Sequence, residues 1–184
     1  AAAYWPGYMT AKTVAVAFPI ETPTGNKGLI SVGIRADLRL RPDTSLQLQS
    51  IHAVSEKWEV TSRKEPLLSA DDFTLAMTQD DEVPELYEFS LISNGFTPSA
   101  LIRTALSLPA DWPASFDTIK ADASVSFDRP WDRTSFSGEY PQPRTITLRN
   151  INVAWGDLSV LAIGNVTVAP TGIPSGTVSL QIAN

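Results

Sequence analysis

Cysteine is absent from the chain, which excludes disulfides, thiolate nucleophiles and thiolate-bound metals together. Histidine occurs once, as His52, so no mechanism that needs two imidazoles is available, and a triad or histidine metal site would have this single anchor. His52 lies between Ile51 and Ala53, with no base or ligand beside it and no Gly-x-Ser-x-Gly elbow elsewhere. It reads as a surface or strand-edge residue. No run of 18 apolar residues occurs, so the sequence holds no membrane-spanning helix. Phosphate-cradling loops of the Gly-x-Gly-x-x-Gly or Gly-x-x-x-x-Gly-Lys kind are also missing. Charged residues make up only 18% of the chain, and 14 basic against 20 acidic residues leave a net charge of -6. The cations are scattered, so neutralising a phosphate backbone is excluded and no nucleic acid is expected as a partner.

The 184 residues are 43% hydrophobic, which fits one globular domain able to bury roughly 70% of its unfolded surface. The chain opens Ala1-Ala2-Ala3 without methionine. That start points to a processed or trimmed protein and leaves room for an anchor upstream.

Alternation is the dominant pattern. Ile30, Val32, Ile34, Ala36, Leu38 and Leu40 stand at every second position, with Ser31, Arg35, Asp37 and Arg39 among the residues between, as in a half-buried strand. The pattern recurs at Val14, Val16 and Phe18; at Phe73, Leu75 and Met77; at Tyr87, Phe89 and Leu91; at Ala121, Ala123, Val125 and Phe127; and at Val178, Leu180 and Ile182. Turn formers separate these runs: Pro23-Thr24-Gly25-Asn26, Pro141-Gln142-Pro143 and Pro170-Thr171-Gly172-Ile173-Pro174. One segment departs from the alternation. Thr97 is placed to cap a helix that opens at Pro98 and carries Leu101, Ile102, Ala105 and Leu106 on one face, about three turns ending before Pro109.

Residues 44–60 align with 144–160 at an offset of 100: Leu46 with Ile146, Leu48 with Leu148, Ile51 with Ile151, Val60 with Val160. In both copies the apolar parity slips by one, which predicts a β-bulge at Gln49-Ser50 and at Arg149-Asn150. Two readings stay open, a duplication of about 28–80 and 117–184 around a helical segment near 98–108, or chance likeness between strands of similar composition. The expected fold is mainly β, a single domain with an antiparallel curved sheet of two related β-meander units and one amphipathic helix covering a face or an end.

Site candidates are few. Asp80-Asp81-Glu82 with Glu85 and Glu88 lacks the spacing and glycine of a calcium loop and reads, like Asp71-Asp72, as a solvated connection. Of the five tryptophans, Trp58 and Trp155 read as structural, and Trp112 and Trp131, in proline-containing connections, as rim residues. The strand at 158–168 is apolar on both faces, with Val160, Ala162, Val166 and Val168 on one and Leu161 and Ile163 on the other. It is either a central strand under the helix or a strand whose second face lines an apolar groove. No metal and no cofactor is expected.

The stretch Thr145-Ile146-Thr147-Leu148-Arg149-Asn150-Ile151-Asn152-Val153-Ala154-Trp155-Gly156-Asp157-Leu158, then Gly164-Asn165-Val166-Thr167-Val168 and Gly176-Thr177-Val178-Ser179-Leu180, resembles an uncharacterised bacterial domain-of-unknown-function family. Its helix-then-proline segment resembles 101–109 and Trp112-Pro113, so the likeness covers most of the chain after residue 28. The strand-Trp-Gly-strand-Gly-strand cadence is similar to repeats of the AsmA-like envelope proteins. That resemblance implies a periplasmic or cell-envelope location, contact with lipids and an N-terminal signal or anchor; it carries over no catalytic residue. The leading expectation is a non-enzymatic envelope protein holding a lipid or other apolar small molecule, lined by Leu101, Leu106, Leu161 and Ile163. A second is a structural or interaction module whose edge strand pairs with an envelope protein partner. A third is a glycan hydrolase working through two carboxylates.

Overall fold

The computed structural model describes residues 4–5, 8–21, 27–42, 44–62, 65–105, 107–136 and 140–184. Leu106, the turn at 23–26 and the three opening alanines lie outside the described residues, as does the side chain of Trp5. Eleven strands form in chain order: β1 (Tyr4–Trp5), β2 (Tyr8–Glu21), β3 (Lys27–Leu40), β4 (Leu48–Ser62), β5 (Glu65–Ala70), β6 (Asp72–Gln79), β7 (Leu86–Pro98), β8 (Phe116–Phe127), β9 (Pro143–Trp155), β10 (Leu158–Val168) and β11 (Pro174–Ala183). All belong to one antiparallel sheet, ordered β1-β2-β3-β4-β5-β7-β8-β9-β10-β11, with β6 beside β5 between β4 and β7.

β5 and β6 share one strand position. β5 pairs with the Trp58–Ser62 end of β4 and β6 with its Ser50–Ser55 part, and the chain breaks between them at Asp71. Opposite the break, Gly95 adopts φ 63°. A Cβ there would lie 2.2 Å from the Asp71 carboxylate, so only glycine allows the kink and the close approach together.

Alternation sorts the side chains onto two faces, and the register lines them up in rows. One row runs Leu38, Ile51, Met77, Phe89, Ala123, Leu148, Gly164, Val178, and the next runs Ala36, Ala53, Leu75, Leu91, Ala121, Ile151, Ala162, Leu180. Both cross eight strands, about 34 Å at the usual strand spacing. The opposite face is polar, as in the row Arg35, Val54, Thr74, Ile92, Lys120, Asn152, Leu161, Gln181.

Both predicted bulges are present. Arg39 pairs with Ser50 and Leu40 with Leu48, leaving Gln49 as the extra residue; Asp122 pairs with Asn150 and Ala123 with Leu148, leaving Arg149. Each restores the apolar parity that a regular strand would lose. The predicted turn after β10 also forms, closed by hydrogen bonds from Ala169 N–H to Ile173 O (3.0 Å) and from Gly172 N–H to Ala169 O (2.8 Å).

The helix is shorter than the sequence predicts. Thr97 and Pro98 finish β7, pairing with Ser69 and Leu68 of β5, and the ladder is prolonged by Ser99 N–H to Leu67 O at 2.7 Å. The cap is therefore Ser99, whose carbonyl and hydroxyl accept from Arg103 and Ile102 N–H. Helix α1 (Ala100–Ala105) has six residues and buries none of them; Leu101 is 67% exposed. Its Arg103 lies over the ring of Trp155, the last residue of β9.

The best-buried cluster is Leu48, Met77 and Tyr87, packed against Leu38, Leu40, Ile51, Phe89, Phe127 and Trp131. Trp131 is pinned by its backbone, its N–H donating to the Tyr87 hydroxyl (3.0 Å) and its carbonyl accepting from Leu48 N–H (2.8 Å). Leu48→Ala is expected to cost about 3 kcal/mol in urea unfolding, and Leu101→Ala less than about 0.5. Tyr87→Phe removes the acceptor for Trp131 and should cost about 1–2 kcal/mol. Burial pushes the Tyr87 phenol above its ordinary 10.0, so its contribution is whole below pH 10.0 and is lost as pH rises through the folded-state value. The Phe variant should flatten that alkaline decline in stability.

Candidate functional site

The widest chemically distinct surface is the apolar face of the sheet. All eleven strands belong to one sheet, so among the described residues no second sheet covers the face. The buried apolar residues among those described are Leu48, Ala53, Val60, Ala70, Met77, Tyr87, Trp155 and Ala162. Leu75, Leu91, Ala121 and Ile151, in the middle of the rows, remain half-buried. At the β11 margin Val178, Leu180 and Ile182 are 47%, 66% and 67% exposed. The molecule presents 11,841 Å² of surface, against about 8,700 Å² expected of a compact monomer of its mass.

Aromatic clusters stand at two places along this face. The Tyr87, Phe127 and Trp131 rings meet edge to face at 5.7 Å spacings, and Tyr140 lies against Trp131. The second cluster chains Phe73, Trp58, Phe96, Phe116, Trp155 and Trp112, with ring centroids 4.4 to 6.4 Å apart. Its fastening is polar. Arg103 donates to the carbonyls of Pro113 (2.6 Å), Trp112 (2.9 Å) and Pro109 (3.1 Å) and lies over the Trp155 ring. The Trp155 indole N–H also donates to Pro113 O at 2.8 Å. Trp155 is structural, as the sequence suggests, while Trp112 is 37% exposed at the rim of the cluster and Trp131 anchors the core cluster.

Of the residues singled out as a lining, Leu161 and Ile163 share the polar face of β10, opposite Asn152 and Gln181 in one case and Ser179 in the other, and Leu101 lies on α1, 67% exposed. Leu106 is outside the described residues. Leu75, Leu91, Ile151 and Leu180 carry the apolar face instead. Their alternation is visible in the sequence, but alternation alone does not distinguish a covered face from an open one.

The acidic residues are engaged locally. Asp80 accepts from Glu82 and Val83 N–H, both at 2.9 Å, and these bonds hold its carboxyl below the usual range. Asp132 is lowered first by the Thr134 hydroxyl and caps the short 3-10 turn Arg133–Phe136. Asp72 binds the Asn94 amide, Glu88 pairs with the bulge residue Arg149, and Asp128 pairs with Arg144 at 3.2 Å. His52 is exposed on the polar face, in register with Asp37 and Ala76. A cavity of about 580 Å³ on that face, between Arg35, Val54, Glu56, Lys57, Thr74 and Ile92, is open to solvent and carries charges of both signs. Among the described residues no helix is long and apolar enough to cross a membrane.

Among curated proteins and among solved structures, none matches the chain. Residues 1–184 match the bacterial family described as "Uncharacterized protein conserved in bacteria (DUF2125)". With the match running the full length of the sequence, the chain belongs to that family.

Proposed function

We propose that the chain is a non-enzymatic protein of the bacterial cell envelope that holds an acyl chain of a lipid along the apolar face of its sheet. The observation that carries this reading is the pair of apolar rows crossing eight strands, half-buried at Leu75, Leu91 and Ile151 and with no second sheet on them among the described residues. Water against such a surface is unfavourable by about 25 cal/mol per Å², and an open patch of this width marks a binding surface. Flexible apolar chains suit it because the rows offer no directional polar group at their centre. An acyl chain spans half of a hydrocarbon core about 30 Å thick, so it fits along rows about 34 Å long. The envelope location rests on the likeness of the strand-Trp-Gly-strand cadence to AsmA-like repeats.

The test is titration of the purified chain with a pyrene-labelled fatty acid. Leu91→Asp and Ile151→Asp, which set a carboxylate in the middle of the apolar rows, should each weaken binding at least about tenfold. Leu161→Asp, on the polar face, should leave it unchanged. Near-ultraviolet circular dichroism of the tryptophans reports whether each variant stays folded. Equal loss with Leu161→Asp, or no saturable binding by the unaltered chain, overturns the reading.

A further inference from the structure

The polar face is interrupted in the middle of the sheet, where two backbone irregularities fall side by side. The first is a further slip in β4: Val32 pairs with Trp58 and Ile34 with Ser55, so Glu56 and Lys57 together oppose Gly33. Ser55 faces Phe73 in register and the Phe73 ring meets Trp58, which keeps both ends of the slip on the apolar side and leaves the two residues between them to the polar one. The second is the break between β5 and β6, directly after which Asp72 pairs with Asn94. Slip and break bring two carboxylates, Glu56 and Asp72, and two cations, Arg35 and Lys57, to the walls of the cavity of about 580 Å³. Its volume is that of a small-ligand site.

One of the carboxylates is held in place. The Asn94 side-chain amide donates to both oxygens of Asp72 (2.9 and 3.1 Å), its backbone N–H donates to one of them (3.2 Å), and its own side-chain oxygen accepts from the Thr118 hydroxyl (3.0 Å). Asp72 is half-buried, while Arg35, Glu56 and Lys57 are exposed. None of the four forms an ion pair among the described residues, although both signs line the same cavity. Between Arg35 and Asp72 the floor is made by Val54, Thr74 and Ile92, the last 39% exposed. Arg35 stands two strands from Thr74 in register, and Asp72 lies two residues along from Thr74. At the usual strand spacing and rise that backbone diagonal is about 12 Å.

We infer that this cavity binds a short zwitterionic peptide, its ammonium received by Asp72 and its carboxylate by Arg35. An extended dipeptide separates its two ends by about 7 Å, and a charge-assisted hydrogen bond adds about 2.8 Å at each end, which together match the diagonal. A single amino acid is too short to engage both. The Arg35 guanidinium matches a carboxylate in two parallel bonds, and Val54 and Ile92 offer apolar surface to the side chains between the ends. Glu56 and Lys57 add one charge of each sign, so the cavity stays neutral overall and favours neither a lone anion nor a lone cation. The inference is independent of the lipid reading, which concerns the other face of the sheet.

Alanyl-alanine is the probe, titrated into the isotope-labelled 184-residue chain and followed by amide NMR. Saturable shifts are expected at Val54, Thr74 and Asn94. Acetylating the peptide's amine, amidating its carboxylate, Arg35→Gln and Asp72→Asn should each raise the dissociation constant at least about tenfold. Arg35 is exposed, so its variant keeps the fold, which circular dichroism checks for both variants. No saturable shifts, equal binding of either blocked peptide, or binding indifferent to Arg35→Gln overturns the inference. Free alanine binding as tightly as the dipeptide overturns it too, because the two ends are then not engaged together.

Discussion

Everything in this sheet depends on keeping one face apolar across strands 10 to 15 residues long. Side chains alternate with a period of two, so one residue too many sends the rest of a strand to the wrong side. The sequences of β4 and β9 each contain such a slip, and the single extra residues Gln49 and Arg149 absorb it. Without the bulge at Arg149, Ile146 and Leu148 would stand on the polar face while Ile151 and Val153 stayed on the apolar one. The bulge also sends Arg149 toward Glu88, placing an ion pair on the polar face. Such a partly exposed pair contributes little to stability.

A broad single sheet buries less than a layered domain, and its stability is concentrated where other chain folds back on it. Leu48, Met77 and Tyr87 gain their burial from the connection carrying Trp131. Arg103 and Trp155 hold the connection between β7 and β8 through four hydrogen bonds to three proline or tryptophan carbonyls. Near the first cluster, the buried Gln79 side chain accepts from Arg41 (2.7 Å) and donates to Gln47 (3.1 Å) and Pro84 O (2.8 Å), so its polar atoms are satisfied. A buried amide left unpaired would cost more than these bonds return. Between the clusters, Leu75, Leu91 and Ile151 are half-buried.

Strand existence, the turn at 169–173 and both bulges are legible in the sequence because each leaves a local trace: alternation, proline and glycine, or a slip of parity. The boundary of α1 is not legible. Thr97-Pro98 satisfies helix-opening chemistry, yet β5 draws the same residues into a ladder through Leu67 and Leu68, a contact about 30 residues away that outcompetes a helix of marginal length. The break between β5 and β6 is hidden for a similar reason, since it rests on Asp71 meeting Gly95. The strand at 158–168 shows the deepest limit. Both of its faces are apolar in sequence, and only its cross-strand partners decide between them: Ile151 and Leu180 make Ala162's face the apolar one, while Asn152 and Gln181 place Leu161 among polar residues.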